Sequence, residues 1–154
     1  MAIEIERKYL VKGDSWRSLA VGSVYCQGYI PTQGNSTVRV RIAGDQGYLT
    51  IKGPKSGFSR QEFEYLIPLN DAQQMLNTLC ASLSVEKMRY KVEWAGLIWE
   101  IDEFDGVNKG LILAEVELSH ENQFIELPDW VGEEVSHDPR YFNSNLAKHP
   151  FTQW

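Results

Sequence analysis

Charges of like sign recur at every second position along this chain, and that spacing is where chemistry could reside. The first case is Ile3-Glu4-Ile5-Glu6-Arg7-Lys8-Tyr9. Successive side chains of a strand point to opposite faces, so Glu4, Glu6 and Lys8 share one face and Ile3, Ile5, Arg7 and Tyr9 the other. Two carboxylates and an ammonium in a row make a poor core. They suit a hard divalent cation held beside an anionic ligand, because Mg²⁺ takes few carboxylates and leaves its other positions to phosphate oxygens. The plainer reading of one such face is the wet side of an antiparallel sheet. What weighs between the two is whether later strands repeat the pattern.

They do. Arg39 and Arg41 alternate with Val38, Val40 and Ile42; Thr50 and Lys52 alternate with Leu49 and Ile51. Arg60, Glu62 and Glu64 oppose Phe63, Tyr65 and Ile67, and Lys87 and Arg89 oppose Met88, Tyr90 and Val92. Glu100 and Asp102 oppose Trp99 and Ile101, and Glu115 and Glu117 oppose Ala114, Val116 and Leu118. With Arg60 at the strand's start left aside, the charged faces collect eight acids, counting Glu4 and Glu6, against the six bases Lys8, Arg39, Arg41, Lys52, Lys87 and Arg89, an excess of two carboxylates. A merely solvated face would carry more Ser, Thr, Asn and Gln and fewer matched charges. Ser23 to Ile30 is a further strand, with Tyr25, Gln27 and Tyr29 on one face.

Eight strands joined mainly by turns can close into a barrel, which removes exposed edges. With the charged face inward the result is a polar tunnel, its apolar outside covered by helices, loops or a second copy of the chain. Periodicity alone does not choose between that and a flat sheet with one wet face. The turn signals are Pro31 to Asn35, Ala43 to Gly47, Gly53 to Gly57, Ala95-Gly96 and Asp105-Gly106. Short helical stretches are expected after Gly13-Asp14-Ser15, from Asn70-Asp71 to about Ala81 with Met75, Leu76 and Leu79 as its apolar stripe, after Ser119 carrying Phe124, Ile125 and Leu127, and from Asp138-Pro139 to Ala147. Pro128 to Glu134 reads as loop. The fold class is mainly β, and 1–154 reads as one domain.

A net charge of −6 argues against a broad nucleic-acid surface. No apolar run is long enough to span a bilayer, and the N-terminus lacks a signal peptide's apolar middle, so a cytoplasmic protein is expected. Cys26 and Cys80 lack zinc or disulfide spacing, and His120, His137 and His149 lack the close pairing of zinc enzymes. Trp94, Trp99 and Trp130 read as packing residues, since they do not interleave with a basic stripe.

Glu4-Ile5-Glu6-Arg7-Lys8 resembles the E-x-E-x-K signature of the CYTH superfamily, the triphosphate tunnel metalloenzymes. The resemblance runs on through Arg39-Val40-Arg41, Thr50-Ile51-Lys52, Arg60 to Glu64, Lys87-Met88-Arg89, Glu100-Ile101-Asp102, Glu115-Val116-Glu117 and Tyr141-Phe142-Asn143. It is strongest to the short bacterial members, which carry Gln-Gly-Tyr on the second strand, here Gln27-Gly28-Tyr29. It implies an eight-stranded antiparallel tunnel binding a triphosphate with Mg²⁺ or Mn²⁺. By that analogy Glu4, Glu6, Glu115 and Glu117 hold metal, with Asp102, Glu62 and Glu64 as nearby ligands or partners. Lys8, Arg39, Arg41, Lys52, Lys87 and Arg89 grip the phosphates, and Lys8 pairs with Tyr29 at the end where the chain is cut. The leading expectation is hydrolysis of inorganic tripolyphosphate to pyrophosphate and phosphate. The same motifs also admit an adenylate cyclase, a thiamine-triphosphatase, or a triphosphate-binding module without turnover. An apolar outer face would favour a homodimer.

Overall fold

Alternating side chains on nearly every segment between turns leave the chain one economical solution, a sheet that curls until its first and last edges meet. The structure, a computed structural model, describes residues 3–80 and 83–154. Its strands are β1 (Ile3–Val11), β2 (Ser23–Ile30), β3 (Thr37–Ala43), β4 (Gln46–Lys52), β5 (Ser59–Ile67), β6 (Ser84–Trp94), β7 (Leu97–Phe104), β8 (Ile112–Glu117) and β9 (Val131–Glu134). Two helices follow the sheet's rim, α1 (Leu69–Thr78) and α2 (Asn143–Lys148). The strands run β5-β4-β3-β2-β6-β7-β8-β1, every neighbour antiparallel, and β1 returns to pair with β5. That closure makes the eight-stranded barrel.

β1 is shared between partners along its length. Ile3, Glu4 and Ile5 pair with Gln61, Arg60 and Ser59 of β5, while Glu6 to Leu10 pair with Glu117 to Leu113 of β8. Beyond Ile5 the edge that faced β5 is free, and Val131–Glu134 fills it by pairing with Tyr9 and Val11. The expected loop at Pro128 to Glu134 therefore contains a ninth strand. Ser136 stitches this strand to β1: its Oγ accepts from the Lys8 backbone N–H at 2.9 Å and donates to Glu134 at 2.6 Å.

The outward faces pack under short coverings. Tyr9, Trp16, Trp99, Ile101, Val116 and Trp130 form one buried cluster, sealed by the 3₁₀ turn Ser15–Ser18 and the chain leading into β9. Phe104 and Leu113 instead continue the inward faces of Asp102 and Glu115, and with Val135, Tyr141 and Leu146 they form a second cluster under α2. α1 lays Ala72, Met75 and Leu76 over β2, β3 and β4. Its end presses so closely on β2 that a Cβ at Gly28 would lie 2.7 Å from the Cys80 Cβ, which explains a glycine between Gln27 and Tyr29. Ile51, Phe63 and Tyr65 stay exposed on the outer face of β4 and β5, beyond the reach of α1.

Three helical expectations change. Leu79 of the expected α1 stripe is exposed, and the helix opens at Leu69 after Pro68; its expected end at Ala81 lies outside the described residues. No helix follows Ser119, because Gln123 Oε1 accepts from the Ser119 N–H at 2.7 Å and closes a local turn. Phe124 is left 89% exposed. The final helix is broken: Asp138 caps a 3₁₀ turn at Pro139–Tyr141, and an extended Phe142 then leads into α2. Both cysteines are free, and no helix of the described residues is long and apolar enough to cross a membrane.

Candidate active site

The inward faces enclose a cavity of about 270 Å³. Its walls carry seven carboxylates, Glu4, Glu6, Glu62, Glu64, Glu100, Glu115 and Glu117, and nine cations, Lys8, Arg39, Arg41, Lys52, Lys55, Arg60, Lys87, Arg89 and Lys91. The alternation of charge is thus the inside of the barrel. The balance differs from the excess of carboxylates counted on the strands alone. Lys91 continues the Lys87, Arg89 spacing and Arg60 shares a face with Glu62, so both were visible in the sequence; Lys55 comes from the Gly53–Gly57 loop, where no periodicity marks it.

Most of these charges are paired. Lys52 bonds Glu4 at 2.9 Å and Glu62 at 3.2 Å, Arg39 bonds Glu64 at 3.3 Å, and Lys8 lies 3.5 Å from Glu115. Asp102 lies behind the wall, completely buried, with Arg89 gripping both its oxygens at 2.7 and 2.8 Å and Lys87 at 2.7 Å. Burial presses the Asp102 carboxyl up, but Arg89 and Lys87 outweigh it and hold it below its ordinary value. Both its oxygens are engaged by cations, and Asp102 thereby orients Arg89 and Lys87.

Two groups remain unsatisfied, and they are opposite in kind. Among the described residues neither Glu6 nor Glu117 forms an ion pair. Burial first, then Glu115 and Glu4, push the Glu6 carboxyl up to about 8, and burial with Glu4, Glu62 and Glu100 raises Glu117. On the cationic side, Arg39 Nε is buried with no hydrogen-bond partner. Burial, with Arg39 and Arg89 close by, lowers Arg41 to about 10, which leaves it charged at neutral pH in surroundings short of negative charge. The Tyr25 ring lies 4.9 Å from both the Arg41 and the Arg89 guanidinium.

Among the described residues no three carboxylates or histidines stand close enough together to make a ready-made metal cage. The donor chemistry nonetheless fits a hard cation. Glu4, Glu6 and Glu117 are oxygen donors, two of them without a counter-charge, and Mg²⁺ needs only one or two carboxylates when substrate oxygens complete its shell. Glu62, Glu64 and Glu115 line the same cavity but are each engaged by a lysine or arginine.

The expected pairing of Lys8 with Tyr29 is not present as a contact. Lys8 Nζ donates to the Tyr141 carbonyl at 3.1 Å, and the Tyr29 hydroxyl accepts from Gln27 Nε2 at 2.8 Å. Both residues line the cavity, and the broken C-terminal segment supplies the partner of Lys8. That segment also supplies Asn143, whose Oδ1 accepts from Lys87 Nζ at 2.9 Å, and Phe142, whose ring lies 5.0 Å from Lys55 Nζ. Asn143, Gln27 and Tyr25 were not singled out from sequence as working residues, since neutral side chains on an inward face carry no charge signature.

Comparison with known proteins agrees with this geometry. The CYTH domain family profile matches residues 2–149. The chain is 51% identical over 151 residues to an inorganic triphosphatase of Acetivibrio thermocellus, covering 98% of this chain and 97% of that protein. It is 37% identical over 152 residues to an inorganic triphosphatase of Nitrosomonas europaea, covering 94% and 96%. The crystal structure of an inorganic triphosphatase matches with a TM-score of 0.65 at 34% identity, covering 96% of this chain and 95% of that one.

Proposed function

The chain belongs to the CYTH domain family, and on that premise we propose that it is a divalent-metal-dependent hydrolase cleaving inorganic tripolyphosphate to pyrophosphate and phosphate within its tunnel. The observation that carries this reading is the unmet demand for an anion deep in the cavity, where Arg39 Nε has no partner and Arg41 makes no ion pair among the described residues. Tripolyphosphate has the charge and the acceptor oxygens to meet it. The names of the relatives at 51% and 37% identity support the same substrate.

In this reading Arg39, Arg41 and Arg89 take phosphoryl oxygens through forked N–H donors, while Lys8, Lys52 and Lys87 act as point charges along the chain. Carboxylates hold five of these in place beforehand and Gln27 holds Arg41, so little reorganisation is needed as charge shifts toward the leaving group. Glu4, Glu6 and Glu117 would hold Mg²⁺ or Mn²⁺. When bound, that ion neutralises phosphoryl charge and makes water a better nucleophile. Tyr29 and Lys8 lie on the wall of the same cavity, where they would orient the terminal phosphoryl group. Substrate is a small molecule, and a cytoplasmic setting suits it.

The test is a panel of tripolyphosphate, ATP and thiamine triphosphate, with Mg²⁺ and with Mn²⁺, resolved by product. Preferred release of phosphate and pyrophosphate from tripolyphosphate is expected. Cyclic AMP from ATP would make the chain a lyase on the same scaffold.

A further inference from the structure

Gln27 is completely buried, yet it faces the tunnel from β2 directly opposite Arg41 of β3. Arg41 Nε donates to Gln27 Oε1 at 2.9 Å. A guanidinium can only donate, so this contact fixes which end of the amide is oxygen. The other end, Nε2, then has two protons, which go to the Tyr29 hydroxyl oxygen at 2.8 Å and to Asn143 Oδ1 at 3.4 Å. Asn143 Oδ1 also accepts from Lys87 Nζ, at 2.9 Å.

The consequence falls on Tyr29. A phenol both donates and accepts, and its direction is open until a neighbour decides it. Here its oxygen accepts from Gln27, so its own proton is left to donate, and among the described residues no acceptor takes it. Tyr29 lines the cavity, as do Arg41 and Lys87. The Tyr29 hydroxyl, Arg41 and Lys87 thus present donors to this end of the tunnel. A phosphoryl terminus, which offers almost only acceptors, is the complementary ligand.

We propose that Gln27 is a positioning residue that sets the hydrogen-bond polarity of this end of the tunnel, holding Arg41 in place and turning the Tyr29 hydroxyl proton toward a phosphoryl oxygen of the substrate. The inference rests on the triphosphatase reading and adds a residue to it. A glutamine that merely fills space would affect folding and leave the hydroxyl indifferent.

A double-mutant cycle on the full chain separates these. Gln27→Glu keeps an acceptor for Arg41 but offers no donor, so the Tyr29 proton turns away from the cavity to the new carboxylate. The KM for tripolyphosphate with Mg²⁺ is expected to rise roughly ten- to hundred-fold, the worth of one hydrogen bond to a charged group, with a smaller change in kcat. Combined with Tyr29→Phe, Gln27→Glu should add little, because the hydroxyl through which it acts is gone. Should the charged variant fail to fold, Gln27→Met, close in volume, runs the same cycle; it also loses the Arg41 contact, so part of its effect should persist with Tyr29→Phe and part should vanish. Equal effects of the Gln27 substitutions with and without Tyr29→Phe would overturn the proposal, since added charge or lost packing acts regardless of the hydroxyl. Absence of tripolyphosphate turnover in the unsubstituted chain would overturn the triphosphatase reading, and this inference with it.

Discussion

Glu6 of β1 lies directly opposite Glu117 of β8, and among the described residues neither carboxylate is joined to a cation. Elsewhere in the cavity the facing acids are neutralised: Glu100 and Glu115 are also opposite one another, but Arg89 holds the first at 3.1 Å and Lys8 stands 3.5 Å from the second. The Glu6–Glu117 pair is thus the place where the tunnel needs positive charge, just as Arg39 and Arg41 mark where it needs negative charge.

Removing Glu117 should relieve its repulsion with Glu4, Glu62 and Glu100. Glu117→Gln is expected to raise the melting temperature of chelator-treated protein, by a small amount because water screens this exposed carboxylate. The same substitution should sharply lower tripolyphosphate turnover and blunt the stabilisation by Mg²⁺ that mass action gives the native protein. Scanning fluorimetry with and without metal reads both effects. A lower melting temperature and an intact response to Mg²⁺ would mean that Glu117 is structural.

The pH dependence follows from Glu6. Its folded-state value, about 8, lies above the ordinary 4.5, so between those limits the folded chain holds a proton that the unfolded chain has released. Stability from this group is complete below about 4.5 and is lost as pH rises through about 8. A metal ion bound at Glu6 would replace the proton. The gain in melting temperature from Mg²⁺ should therefore grow from pH 5 to pH 8, roughly the same window. A gain independent of pH would show that metal binding displaces no proton from Glu6.

Asp102 should matter chiefly to stability and to the posture of two cations. Asp102→Asn leaves Arg89 and Lys87 buried against a neutral amide, a change that typically costs about 3–5 kcal/mol. Denaturant unfolding should show that loss as a lower midpoint with an unchanged slope. A loss under about 1 kcal/mol would indicate that water reaches the pair.

Much of this was legible in the sequence because strands have a period of two. Glu4, Glu6, Lys8, Arg39, Arg41, Lys52, Glu115 and Glu117 announce their common face by spacing alone, and all line the cavity. What spacing could not show is pairing. Asp102 shares its face with Glu100 in the sequence, yet only the packed structure reveals that it sits behind the wall with both oxygens occupied. Val131–Glu134 was missed as a strand because it is four residues long and interrupted by Gly132; it forms only because β1 has an unpaired edge there. Lys8 and Tyr29 line one cavity without touching for a reason no local pattern contains: the final helix is broken at Phe142, and the Tyr141 carbonyl and Asn143 take Lys8 and Lys87.

The most direct measurement is the rate of phosphate release from tripolyphosphate as Mg²⁺ is titrated into protein first freed of metal by chelator. The account predicts no turnover in excess chelator, and recovery as Mg²⁺ or Mn²⁺ is restored, with phosphate and pyrophosphate formed in equal amounts. Undiminished turnover in chelator would contradict it.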